Sequence, residues 1–122
     1  MKITRNLTLV AAALMFSLPA LAEDYEHYEG EPAETLEQAV TNFSKYNNKL
    51  DKMLAGELTP EAMNEIHQLT YTLENALGKL NEEFADLAER LELVHKASEH
   101  ADPETVKFEG SVYLEKSRKV IP

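Results

Sequence analysis

An all-α fold, an antiparallel helical bundle of three helices in the order short, long, short, is predicted by three observations on this 122-residue chain. From Leu36 onward apolar residues recur at spacings of three and four, the period of helices that each bury one stripe. Two helix starts are spelled out as a capping residue followed by proline, at Thr59-Pro60 and Asp102-Pro103. No stretch alternates apolar and polar residues as a half-buried strand would.

The N-terminus reads differently from the rest. Lys2 and Arg5 precede an apolar run from Leu7 to Leu18, and Pro19 leads into the small-residue exit Ala20-Leu21-Ala22. Positive flank, apolar stretch and small-x-small exit describe a cleavable signal peptide over residues 1–22, with a mature chain starting at Glu23. The apolar run falls short of the roughly 20 residues that span a bilayer, so no membrane anchor is expected after cleavage. Residues 23–31 (EDYEHYEGE) are acidic, carry two tyrosines and have no helical period. They are expected to form an extended acidic lead. The helical domain then occupies 32–122.

Helix one is expected from Pro32 to Ala55. Proline suits a first helical turn, Leu36, Ala39, Phe43, Tyr46, Leu50 and Met53 form a heptad stripe, and Gly56 supplies the stop. Lys45, Lys49 and Lys52 lie toward its C-terminal end, where the helix dipole favours positive charge. Thr59 caps helix two, with Pro60 at its first position, Glu61 in its first turn and Leu58 placed to staple onto Met63. The stripe of helix two is Met63, Ile66, Leu69, Leu73, Leu77, Leu80, Phe84, Leu87, Leu91 and Val94. No proline interrupts it before Pro103, so one helix to about His100 is preferred over a break at Gly78 that would give four short helices. Helix three carries Val106, Gly110, Tyr113, Ser117 and Val120 on one face, Gly110 allowing a close backbone approach, and ends on Lys116, Arg118 and Lys119.

Composition excludes whole classes of function. The formal net charge is −10, and losing Lys2 and Arg5 with the signal takes it to −12. Nucleic acid and anionic lipid surfaces both demand a basic footprint, so neither is expected as a partner. There is no cysteine, which removes disulfides, thiolate metal sites, covalent haem attachment and thiol chemistry. Asn42-Phe43-Ser44 matches a glycosylation sequon, which would matter only in a eukaryotic secretory pathway, whereas the compact signal reads as bacterial.

Chemistry-bearing patterns are few. Gly30, Gly56, Gly78 and Gly110 are isolated and form no phosphate-cradling loop. Glu82, Glu83, Asp86 and Glu89 read as a solvated face. No nucleophile, base and orienter fall together, so no catalytic residue, cofactor or enzyme activity is assigned. The alternative reading is a periplasmic metal- or haem-binding helical bundle. Met53, Met63 and His67 could meet across the first loop, a thioether and imidazole set that suits Cu(I), though methionine more often serves as flexible core filler. His67 and His95 each follow a stripe residue, and helix three offers neither Met nor His to a haem iron.

The segments 25–40 (YEHYEGEPAETLEQAV), 57–77 (ELTPEAMNEIHQLTYTLENAL) and 94–107 (VHKASEHADPETVK) resemble an uncharacterised family of small exported proteobacterial helical proteins, a domain of unknown function. The resemblance spans nearly all of the mature chain and implies a Gram-negative periplasmic setting. It assigns no activity, and no functional residue is carried over from it. Within the first segment, Tyr25 and Tyr28 hint that the lead packs on the bundle, a disordered lead being the other reading.

The expectation for function is therefore a non-enzymatic periplasmic binding or scaffold protein acting through an amphipathic helical surface. Lengths add a structural corollary. A second helix of about 60 Å outlasts neighbours of about 36 and 27 Å, which must fold back from its opposite ends and meet near its middle. Tyr71, Ala85, Ala88 and Leu93 widen its apolar surface beyond what one neighbour buries. A homodimer or another protein partner is expected to cover the remainder, an antiparallel copy about Asn81 bringing His67 of one chain toward His95 of the other.

Overall fold

The computed structural model describes residues 28–122. The signal segment expected over 1–22 and the first part of the lead, 23–27, lie outside them. The described residues form three helices and no strand: α1 over Leu36–Leu54, α2 over Pro60–Glu99 and α3 over Pro103–Val120. None of these helices is long and apolar enough to cross a membrane.

α1 starts at Leu36, four residues after the expected Pro32, because the chain supplies a better cap further on. Thr35 is extended (φ −119°, ψ 159°) and its side chain accepts from the Gln38 backbone N–H at 3.2 Å. Gln38 Oε1 accepts in return from the N–H groups of Thr35 (3.2 Å) and Glu34 (2.9 Å). This reciprocal box satisfies the first orphan donors, so the helix begins there and Pro32 remains in the lead. At the far end, Ala55 donates to the Asp51 carbonyl at 3.2 Å and Gly56 to the Met53 carbonyl at 3.1 Å, which closes α1 without a left-handed residue.

α2 begins as its sequence dictates: the Thr59 hydroxyl accepts from Ala62 N–H at 3.2 Å and Pro60 takes the first helical position. Its 40 residues run unbroken. Gly78 sits on an open surface where an added Cβ would meet nothing within 4 Å, so it marks neither a break nor a close approach. The helix ends in a Schellman arrangement: Asp102 N–H reaches back to the Ala97 carbonyl at 2.9 Å and Ala101 N–H to the Ser98 carbonyl at 3.3 Å. Ala101 holds the left-handed position at φ 53°, which costs a residue with a Cβ about 1–2 kcal/mol. Asp102 then caps α3, accepting from Thr105 N–H at 3.2 Å and from the Thr105 hydroxyl at 2.6 Å.

Both short helices fold back onto α2 from opposite ends and meet near its middle. Val120 at the end of α3 packs against Leu36, Ala39 and Leu80, and Lys119 Nζ reaches Glu37 Oε1 at 2.8 Å. Along its length the molecule is thus a two-helix slab, α2 on one side and α1 followed by α3 on the other. Its core is thin: Leu36 and Ala39 of α1, and Leu69, Leu73, Ala76, Leu80, Leu87 and Ala97 of α2.

The buried stripe of α2 differs from the expected one in a systematic way. Leu73, Leu80 and Leu87 are buried as expected, but Leu77, Phe84 and Leu91 are 44–48% exposed and Met63 is half exposed. The inner positions beside the leucines are filled instead by Ala76, Glu83, Arg90 and Ala97, one residue earlier in each repeat. Small Ala76 and Ala97 let a neighbouring helix approach closely, and Glu83 and Arg90 find opposite charges on α3. The neighbours therefore dock on the flank of α2 that offers small and charged residues, and the larger apolar ones are left outside.

Candidate functional site: an open apolar face

The two broad faces of the slab are unlike. At about 100° per residue, Thr72, Asn75, Lys79 and Asp86 lie to one side of the buried stripe of α2, and Leu77, Phe84 and Ala88 to the other. The first face is closed, the second open.

The lead and a ladder of charges close the first face. Gly30 turns the chain at φ 73° and presses its backbone onto α2: a Cβ there would stand 2.7 Å from the Thr72 nitrogen and 2.9 Å from the Tyr71 carbonyl carbon. Only glycine permits that approach. The neighbouring polar groups lock it. Glu31 N–H donates to Thr72 Oγ1 at 3.0 Å, and Asn75 Nδ2 donates to the carbonyls of Glu29 (2.9 Å) and Glu31 (3.0 Å). Asn42, buried in α1, donates to the Pro32 carbonyl at 3.2 Å. The Tyr46 hydroxyl donates to the Glu31 carboxylate, which also pairs with Lys45 at 3.5 Å. The Tyr46 hydroxyl first and the Lys45 charge next hold the Glu31 carboxyl below its ordinary value, while the same bond pushes the Tyr46 hydroxyl up. Tyr28 closes the clasp edge-on against Tyr71, ring centroids 6.3 Å apart. Of the two tyrosines expected to seat the lead, Tyr28 does so and Tyr25 lies outside the described residues.

Further along the same face, Glu83 and Asp86 leave the solvated surface expected for them and pair with α3. Lys116 Nζ bridges Asp86 (2.8 Å) and Glu83 (3.0 Å), Lys79 reaches Glu83 (2.9 Å), and Arg90 joins Asp86 (3.0 Å) to Glu109 (2.7 Å). Glu82 and Glu89 are exposed, as a solvated face requires. Lys79 and then Lys116 hold the Glu83 carboxyl below its ordinary value, and Lys116 and then Arg90 do the same for Asp86. The Lys116 ammonium is pushed up in turn by Asp86 and Glu83.

The second face has no such cover. Leu77, Phe84 and Leu91, with Ala88 beside them, form an outward row on α2. Two concavities flank it. One lies between Val40, Phe43 and Ser44 of α1, Leu77, Leu80, Asn81 and Phe84 of α2, and Val120. The other lies between Phe84, Leu87, Ala88 and Leu91 of α2 and Tyr113, Ser117 and Ile121 at the end of α3. Phe84 lines both, so the two concavities meet at that ring. An apolar row at heptad spacing, half exposed on a rigid helix, can take up a second helical surface.

The residues singled out for metal binding take up ordinary places. Met53 is half-buried in the last turn of α1, Met63 is 52% exposed, and the exposed His67 ring stands edge-on to Tyr71 at 5.2 Å. Among the described residues no group of three or more His, Asp or Glu stands close enough together to hold a metal ion. His95 faces Glu99 at 3.3 Å and His100 Nδ1 lies 2.8 Å from the Lys96 carbonyl, both on the surface.

The signal that sequence reasoning passed over is the row of small and charged residues Ala76, Glu83, Arg90 and Ala97. It repeats every seven residues beside the leucines and marks the docking flank as clearly as the large apolar residues mark the open one. The chain belongs to the family of unknown function DUF6746, whose model matches residues 1–122. No curated protein and no solved structure matches it.

Proposed function

We propose that this chain is an exported periplasmic binding or scaffold protein that works without catalysis, by presenting the open apolar face of α2 to a protein partner. The observation that carries the reading is the outward row Leu77, Phe84 and Leu91, each 44–48% exposed on a helix whose opposite flank is sealed by its own lead and by ion pairs. A small soluble domain gains nothing by keeping such a row wet, since burying each large side chain is worth about 1.5–3 kcal/mol. The acidic balance supports a protein partner over nucleic acid or an anionic membrane. Export is supported by Lys2, Arg5, the Leu7 to Leu18 run and Ala20-Leu21-Ala22.

The test is a photo-reactive phenylalanine analogue placed in the full chain in living cells, at Phe84 and Leu91 on the open face and at Glu82 and Glu89 on the solvated side. Protein adducts concentrated at 84 and 91, formed by a periplasmic chain whose mass begins at Glu23, are the expected result. Equal or absent adducts at all four positions would overturn the binding face, and a chain that retains Met1 would overturn export.

A further inference from the structure

We infer that the occupant of the open face is a second copy of this chain, packed antiparallel about a two-fold axis that passes beside Phe84. This rests on the binding-face reading above and names its partner. The face is self-complementary in sequence register: Leu77 and Leu91 stand seven residues to either side of Phe84, so an axis there sets Leu77 of each copy against Leu91 of the other and ring against ring at the centre. The short helices obey the same operation. α1 flanks the N-terminal half of the row with Val40 and Phe43, and α3 flanks the C-terminal half with Tyr113 and Ile121. Rotation therefore lays the α1 rim of one copy over the α3 rim of the other, and each two-helix slab becomes half of a four-helix cross-section.

The extent of the overlap is that of a stable dimer. An axis at Phe84 leaves residues 69–99 of the two long helices facing each other, a contact about 46 Å long and about two helices, or 20 Å, wide. That covers on the order of 900 Å² on each copy, where a stable interface needs about 800 Å² per partner. The chain's own lead is not a rival occupant in the part described, because Tyr28 to Pro32 are seated on the opposite face. The centre of the row lies one turn beyond Asn81, the axis expected from sequence. With the axis at Phe84, His67 no longer faces His95, and histidine pairing forms no part of the dimer.

The absence of cysteine makes the geometry readable. Sedimentation of the purified mature chain at tens of micromolar should give twice the chain mass, and Phe84→Glu should return it to one chain with its helical signal intact. Under mild oxidation Phe84→Cys alone should cross-link to itself. Leu77→Cys and Leu91→Cys should each cross-link poorly alone and efficiently when the two variants are mixed. A monomeric mass, or a dimer in which Leu77→Cys cross-links to itself instead, would overturn the proposal. A monomer that still forms adducts at position 84 with another protein in cells would overturn only the second copy and leave the binding face standing.

Discussion

At the scale of single residues, glycine and alanine decide more here than the large apolar side chains do. Gly30 is the one position where the fold requires a missing Cβ, since the lead's backbone lies directly on that of Thr72 and takes a left-handed turn there. Gly110, which looked like the close-approach residue from its place on the α3 stripe, would set a Cβ at an ordinary 3.9 Å from Val94. The two substitutions should therefore differ in sign. Gly30→Ala is expected to cost about 2–4 kcal/mol, combining left-handed strain with loss of the Thr72 and Asn75 bonds. Gly110→Ala should stabilise by about 0.5–1 kcal/mol through helix propensity. Urea unfolding of the two variants checks both, and equal effects would mean that the lead is not clasped.

At the scale of elements, the starts of α2 and α3 were legible because each sets a capping residue directly before a proline. Thr59-Pro60 and Asp102-Pro103 start helices where their residues say they should, and Gly78 fails to break α2 because one glycine costs only about 1 kcal/mol against a long buried stripe. The start of α1 was misread because proline is equally at home in an extended lead, and the Thr35/Gln38 box four residues on outweighs it. The flank on which α2 is covered was not legible from hydrophobicity, since the ion ladder and two alanines define it. That ladder makes a pH prediction. Glu83 and Asp86 have carboxyls held below their ordinary 4.5 and 3.8, so their stabilising contribution is complete above those values and is lost as pH falls through the lowered ones. Lys116 is raised, so its contribution persists through neutrality and is lost only above its ordinary 10.5. Lys116→Met should lower the melting temperature at pH 7 and should lower it less at an acidic pH below the ordinary carboxylate range, where the pairing is lost as Glu83 and Asp86 take up protons. A deficit that is the same at both pH values would mean that the ladder contributes nothing beyond packing.

At the scale of the whole molecule, helix lengths foretold the architecture better than any single residue did. One long helix with two short neighbours returning from its ends makes a slab two helices thick, and a slab of that thickness encloses only a thin core. The few buried residues and the outward row at Leu77, Phe84 and Leu91 are consequences of the same fact. Which flank of α2 faces the short helices is written in the small and charged positions and not in the large apolar ones, because both flanks carry the heptad period. The central claim is that the open flank is covered when the protein works. Cysteine labelling in intact cells tests it directly, since the chain has no cysteine of its own and each single substitution reports one position. Maleimide should react rapidly with Glu82→Cys and Glu89→Cys and slowly with Leu77→Cys, Phe84→Cys and Leu91→Cys, although the isolated chain leaves all five positions exposed. Labelling of the last three as fast as the first two would contradict the account.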